Sequence, residues 1–182
     1  MSAAAGPLVA ILRLAYSGEL AAAWAYRGHW RSVSDPGERE HIRAIEEEER
    51  AHRARVGAML AELGAEPSRF REAMMGTLGR VLGALCHVSG WLAPMYGAGR
   101  LESRNVHEYE VAARRALAGG RTEWVDELLE MAEREWDHEA WFRERVRAHW
   151  LGKRLPLWKV PPPRESIRES FAREAARLAP EP

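Results

Sequence analysis

Apolar residues recur along this chain at spacings of three and four in five long stretches, separated by glycine, proline and small polar residues. No window alternates apolar and polar positions with the β-branched enrichment of a strand, so the pattern predicts an all-α protein. A first helix runs from Pro7 to Arg31 and stops at Ser32-Val33-Ser34-Asp35-Pro36-Gly37. Asp35 suits an N-cap with Pro36 at N1, and the second helix runs to Leu63, with Gly64 as the C′ residue and Pro67 just beyond. A third, less charged helix is expected from Ser68 to about Met95, followed by a break at Gly97-Ala98-Gly99. A fourth spans Arg100 to Ala118, Gly119-Gly120 interrupts, and a fifth spans Thr122 to Trp150. Two long helices, a long connection and two more long helices predict a four-helix bundle whose one long crossover contains an extra apolar helix. The bundle is assigned to residues 1–151. Residues 152–182 are read as a Pro-rich tail, with Pro161-Pro162-Pro163 and a short helix from Glu165 to Leu178.

The helical stripes carry unexpected residues. In the second helix the stripe reads Ile42, Ile45, Glu49, His52, Val56, Met59, which sets a carboxylate and an imidazole in an otherwise apolar seam. The fifth repeats it with Leu128, Met131, Glu135, His138, Phe142, and the first places Glu19 among Leu8, Leu12, Ala15, Ala22 and Tyr26. On the fourth helix Glu102, Glu108 and Glu110 compete for the matching position. Residues at one height in an antiparallel hairpin lie equally far from its turn, because both helices rise equally per residue. Glu19 and Glu49 are centred on the first turn, and Glu102 with Glu135 is centred on Gly119-Gly120, which selects Glu102. The chain thus reads as a weak internal duplication, Glu then Glu-x-x-His, stated twice.

Glu-x-x-His presents both side chains on one helix face, one turn apart. Four carboxylates and two imidazoles suit two hard or borderline divalent ions, whose charge they balance, with positions left open for O₂ and solvent. A single such motif on a charged helix is ordinarily a solvated face, and Glu49 closes the run Glu46-Glu47-Glu48-Glu49. Six such residues on core seams of two matched hairpins are not, because buried unpaired carboxylates are costly. His29, His41, His87, His107 and His149 are read as satisfied or exposed, and Trp24 and Trp136 as candidate walls of a metal pocket. The set resembles the ferritin-like di-iron or di-manganese pattern.

Composition narrows the function. The chain has 182 residues, with 27 Lys+Arg against 27 Asp+Glu, so no global basic field favours nucleic acid as a partner. The single cysteine, Cys86, forms no internal disulfide or Cys-x-x-Cys pair, which fits a reducing compartment. The apolar run Leu8 to Leu12 has no basic residue before it and is interrupted by Arg13, unlike a secretory signal. The expected location is therefore cytoplasmic. Residues 81–99 hold no Asp, Glu, Lys or Arg but include glycines and Pro94, which suits a buried or interfacial helix better than a membrane span.

From Leu14 to Trp150 the sequence resembles the demethoxyubiquinone hydroxylase family. Tyr16-Ser17-Gly18-Glu19-Leu20 is similar to its first-helix His-Ala-Gly-Glu-Tyr motif. Glu49-Arg50-Ala51-His52 and Glu135-Trp136-Asp137-His138 match its two Glu-x-x-His motifs, and Glu102 followed by Tyr109 resembles its third-helix Glu with a tyrosine seven residues on. Two departures stand out: Glu108 occupies the place of a family histidine, and Arg100-Leu101-Glu102-Ser103-Arg104 replaces an apolar approach. The resemblance implies an O₂-dependent di-iron monooxygenase acting on a hydrophobic quinone-like or aromatic substrate. Glu49 and Glu135 would bridge two Fe ions, or Mn, with Glu19 and Glu102 terminal and His52 and His138 each on one ion. Tyr109, two turns beyond Glu102, is the candidate catalytic residue, a phenol facing the pocket of Glu19 and Glu135. Without a Cys₄ module or a Rossmann glycine motif, electrons come from an external donor. The apolar crossover resembles the segment by which the family approaches membranes, here the inner face of the membrane, and a homo-oligomer is left open. The competing readings are a rubrerythrin-like or ferritin-like peroxidase or iron oxidase, and a metal-free helical interaction protein.

Overall fold

The computed structural model describes residues 5–178, so residues 1–4 and 179–182 of the two expected segments lie outside the described residues. Six α-helices and two short 3-10 turns account for the regular structure, and the described residues contain no strand. Their order is α1 (Ala5–Ser32), α2 (Pro36–Glu62), α3 (Arg69–Leu85), α4 (Leu92–Ala118), α5 (Val125–Ala148) and α6 (Glu165–Leu178). The fold class is all-α and ferritin-like, with α3 in the crossover. The chain forms two compact units, Met1–Gly97 and Ala98–Pro182.

In the first unit α1 is the central element, and both α2 and α3 pack on it. By length and composition residues 6–32 would also suffice to cross a membrane, but half of the apolar window is buried, as expected of a core helix. The turn into α2 is fixed by Asp35, whose side chain accepts from the Glu38 N–H at 2.8 Å, with Pro36 at the first helical position. At the other end Gly64 adopts φ 62°, and the Ala65 N–H to Leu60 carbonyl and Gly64 N–H to Ala61 carbonyl bonds, both 2.9 Å, complete a Schellman cap.

Helix α3 inverts the usual arrangement. Its only buried residues are Gly76, Gly79 and Gly83, which face α1, while Phe70, Met74, Leu78, Val81, Leu82 and Leu85 are exposed. The glycines are required by backbone proximity: a Cβ at Gly79 would overlap the Ala21 carbonyl, and one at Gly83 would stand 2.7 Å from the Trp24 carbonyl. The Arg53–Glu72 ion pair joins α2 to α3, and Arg71 Nε donates to Ser17 Oγ at 3.2 Å.

The structure corrects one predicted boundary. The third helix ends at Leu85 and not near Met95, and α4 begins at Leu92 and runs through Gly97-Ala98-Gly99 without a break. The turn lies at Cys86–Trp91, where Gly90 takes φ 74° and Trp91 Nε1 donates to Glu38 Oε2 at 2.7 Å. Pro94 then sits in the first turn of α4, where its missing N–H costs nothing. Glycine alone therefore did not mark the break; positive φ did.

In the second unit α4 ends in another Schellman cap, with Gly120 at φ 74° and the Arg121 N–H bonded to the Ala116 carbonyl at 2.9 Å. The tail is docked along α4 and α5. Trp158 is buried against Gly99, where a Cβ would overlap its ring, and its Nε1 donates to Glu139 Oε1 at 2.7 Å. Trp136 Nε1 donates to the Pro162 carbonyl at 2.8 Å, Arg164 pairs with Asp137 at 3.0 Å, and Ile167 of α6 is buried.

The two kinds of glycine separate experimentally. Gly79→Ala should lower the thermal unfolding midpoint, overpacking by about 1–3 kcal/mol outweighing the gain in helix propensity. Gly97→Ala, with nothing within 4 Å of the added Cβ, should raise it, through a stabilisation of about 0.5–1 kcal/mol.

Candidate metal centre

Each unit holds one buried cluster of two carboxylates and an imidazole. In the first, the α1–α2 hairpin brings Glu19 together with Glu49 and His52, and one ligand atom from each lies within 4.8 Å of the others. They are 4%, 0% and 7% exposed, so all three donors are withdrawn from bulk water. In the second, α4 supplies Glu102 and α5 supplies Glu135 and His138, again with ligand atoms within 4.8 Å of one another. Glu102 and Glu135 are fully buried and His138 nearly so. Oxygen and imidazole donors bind such metals at about 2.0–2.2 Å, so two donors on one ion stand at most about 4.4 Å apart. Each triad is therefore close enough for its donors to converge on one ion, and its donor chemistry fits a hard or borderline divalent cation.

The alternatives on α4 have other partners. Glu110 pairs with Arg114 at 4.0 Å and accepts from Ser170 at 3.4 Å, on the side where α6 docks. Glu108 is half-buried and in neither cluster. Tyr109 is buried at 2% exposure on α4, close to the face of Glu102.

Further buried carboxylates were not anticipated: Glu46, Glu133 and Glu139. Each is tied to cations or indoles. Glu46 accepts from Trp30 Nε1 at 2.7 Å and pairs with Arg50 at 2.6 Å, and Glu133 accepts from Arg168 at 2.8 Å. Glu139 takes the Trp158 bond and pairs with Arg143 at 3.3 Å. Burial pushes its carboxyl above the usual range, opposed by Trp158, Arg143 and Arg147. The candidate ligands Glu102 and Glu135 instead share a neutral donor. Asn105 Nδ2 lies 2.9 Å from Glu102 Oε2 and 3.2 Å from Glu135 Oε2. The sequence offered one signal for Asn105, its place one turn beyond Glu102, but no pattern marks an amide there as functional.

Trp24 and Trp136 each have partners of their own. The Arg80 and Arg27 guanidiniums lie 4.1 and 5.3 Å from the Trp24 ring, and Trp136 is held by the tail. Among the remaining histidines His41, His87 and His107 are exposed, and His149 Nδ1 accepts from the Leu151 N–H at 3.3 Å. His29 is buried.

With that geometry in place, comparison with known proteins identifies the relationship. The family model for ubiquinone biosynthesis protein COQ7 matches residues 7–117. The chain belongs to the COQ7 family. No curated protein and no solved structure matches it. The COQ7 match spans α1 to α4 and therefore Glu19, Glu49, His52, Glu102 and Tyr109, while Glu135 and His138 on α5 lie beyond it. The COQ7 family acts as a hydroxylase in ubiquinone biosynthesis, an oxidoreductase activity of di-iron type.

Buried His29 gives a pH prediction independent of any metal. Desolvation lowers its pKa from 6.5 to about 4, so the imidazole is neutral in the folded chain near neutral pH. Between those values the unfolded state binds more protons, and stability falls as pH drops from 6.5 toward 4, by about 3 kcal/mol over the window. Urea midpoints measured across that range should decline more steeply for the natural chain than for His29→Gln.

Proposed function

We propose that this protein is an O₂-dependent di-iron hydroxylase acting on a hydrophobic quinone-like or aromatic substrate. The observation that carries the reading is the pair of buried Glu/Glu-x-x-His triads in a chain of a ubiquinone-biosynthesis family. In this reading the six residues would hold two ions, Glu49 and Glu135 as shared ligands, Glu19 and Glu102 as further carboxylate ligands, and His52 and His138 each on one ion. Four carboxylates neutralise two divalent ions, and iron, or manganese in its place, suits the donor set. When bound, the metal pair supplies the redox chemistry with O₂. The chain's own groups hold the ions, exclude water by their burial and orient the ligand oxygens. Tyr109 contributes a buried phenol able to hydrogen-bond a ligand carboxylate and to hold or move a proton at its hydroxyl oxygen. With one cysteine in the chain, no Cys₄ electron-transfer module can be assembled, and an external donor supplies electrons.

The exposed apolar face of α3 supports peripheral contact with the membrane in which a lipophilic substrate dissolves. Phe70, Met74, Leu78, Val81 and Leu85 fall along one helical side opposite the glycines, an amphipathic layout suited to lying in an interface. Trp91, in the turn that follows α3, is half-buried and bonded to Glu38.

Purified protein reconstituted with Fe(II) should bind about two ions per chain. His52→Ala and His138→Ala should each lose or weaken one, while His41→Ala and His149→Ala change nothing. Tyr109→Phe should retain both ions and slow substrate-coupled O₂ consumption. Iron stoichiometry well below one would leave a metal-free interaction protein, and peroxide consumption without organic product would leave the peroxidase or iron-oxidase reading.

Vesicle co-sedimentation tests the membrane contact. Leu78→Glu and Leu85→Glu should each weaken binding about tenfold, which corresponds to about 1.4 kcal/mol. Binding unchanged by both would assign the face to a protein partner or a second copy of the chain.

A further inference from the structure

Asn105 lies between two of the carboxylates that the proposed function assigns to metal, and the inference drawn from it rests on that assignment. Its Nδ2 is within hydrogen-bond distance of Glu102 Oε2, at 2.9 Å, and of Glu135 Oε2, at 3.2 Å. Glu102 and Asn105 are three residues apart on α4 and so share a face, whereas Glu135 arrives from α5. Ionised carboxylates only accept, so the amide must turn its NH₂ toward them, and its two hydrogens allow one bond to each.

We propose that Asn105 is a positioning residue that holds Glu102 and Glu135 in their metal-binding orientation. Two fully buried carboxylates whose oxygens lie within 4.8 Å repel one another, and a donor shared between them opposes that repulsion. The bonds engage Oε2 of both groups, restrict the carboxylate planes and leave Oε1 of each available as a ligand atom. An amide does this without adding charge. Arginine or lysine at this position would cancel negative charge that a divalent ion needs. The other buried carboxylates show the contrast, because Glu46, Glu133 and Glu139 are held by Arg50, Arg168 and Arg143 respectively. Partners of this kind around metal ligands are commonly worth about 10- to 100-fold in metal affinity.

The test is equilibrium dialysis of the full chain against Mn(II) and, anaerobically, Fe(II), with helix content followed by circular dichroism. The variants are Asn105→Leu, close in volume but without a donor, and Asn105→Gln, which keeps the donor on a longer arm. Asn105→Leu should retain its helix content and bind the ion that His138→Ala removes about 10- to 100-fold more weakly. Asn105→Gln should recover part of that loss, a rescue that simple packing would not produce. Affinity and stoichiometry within twofold of the natural chain in Asn105→Leu would overturn the proposal. So would equal loss of both ions together with helix content in both variants, which assigns Asn105 to packing. Natural chain that binds neither Mn(II) nor Fe(II) would overturn the metal assignment itself, and this proposal with it.

Discussion

Burying carboxylates inside helical seams is the constraint around which this protein is organised. A carboxylate withdrawn from water loses hydration worth several kcal/mol and is retained only if neighbouring groups replace it. The protein does this in two chemically distinct ways. Glu46, Glu133 and Glu139 are closed off by guanidinium and indole donors, and they cement helix to helix or helix to tail. Glu19, Glu49, Glu102 and Glu135 are gathered with His52 and His138 in triads, where a cation is the natural counter-charge.

The same economy shapes the surroundings. The glycine stripe of α3 lets two backbones approach at α1 and leaves the helix's large apolar side chains facing outward. A helix that packs through glycine buries little apolar side-chain area of its own, so its apolar face remains exposed. The tail does the opposite on the second unit. Trp158, Ile167 and a row of arginines bring apolar and charged groups onto α4 and α5, and the Trp158–Glu139 bond sits one residue from His138. A stiff, well-packed α5 benefits a ligand-bearing helix, because a metal tolerates little drift in its donors.

Much of this was legible in the chain. Periodicity determined that the protein is helical, because an apolar stripe at spacings of three and four can be buried only by a helix, and the caps at Asp35, Gly64 and Gly120 follow from local backbone chemistry. The acids and imidazoles interrupting those stripes singled out Glu19, Glu49, His52, Glu135 and His138, since a local pattern states which side chains share a face, and equal distance from the hairpin turn added Glu102. Glycine was ambiguous: Gly90 turns the chain, whereas Gly97 and Gly99 lie within α4, and sequence alone does not distinguish a glycine chosen for positive φ from one chosen for space. Only tertiary structure decided that Gly99 makes room for Trp158, that α3 turns its glycines inward, that the tail is docked and that Asn105 lies between Glu102 and Glu135. Each of these depends on which distant residue arrives opposite, and helical periodicity is blind to that, because it records the face of one helix and not the partner packed against it.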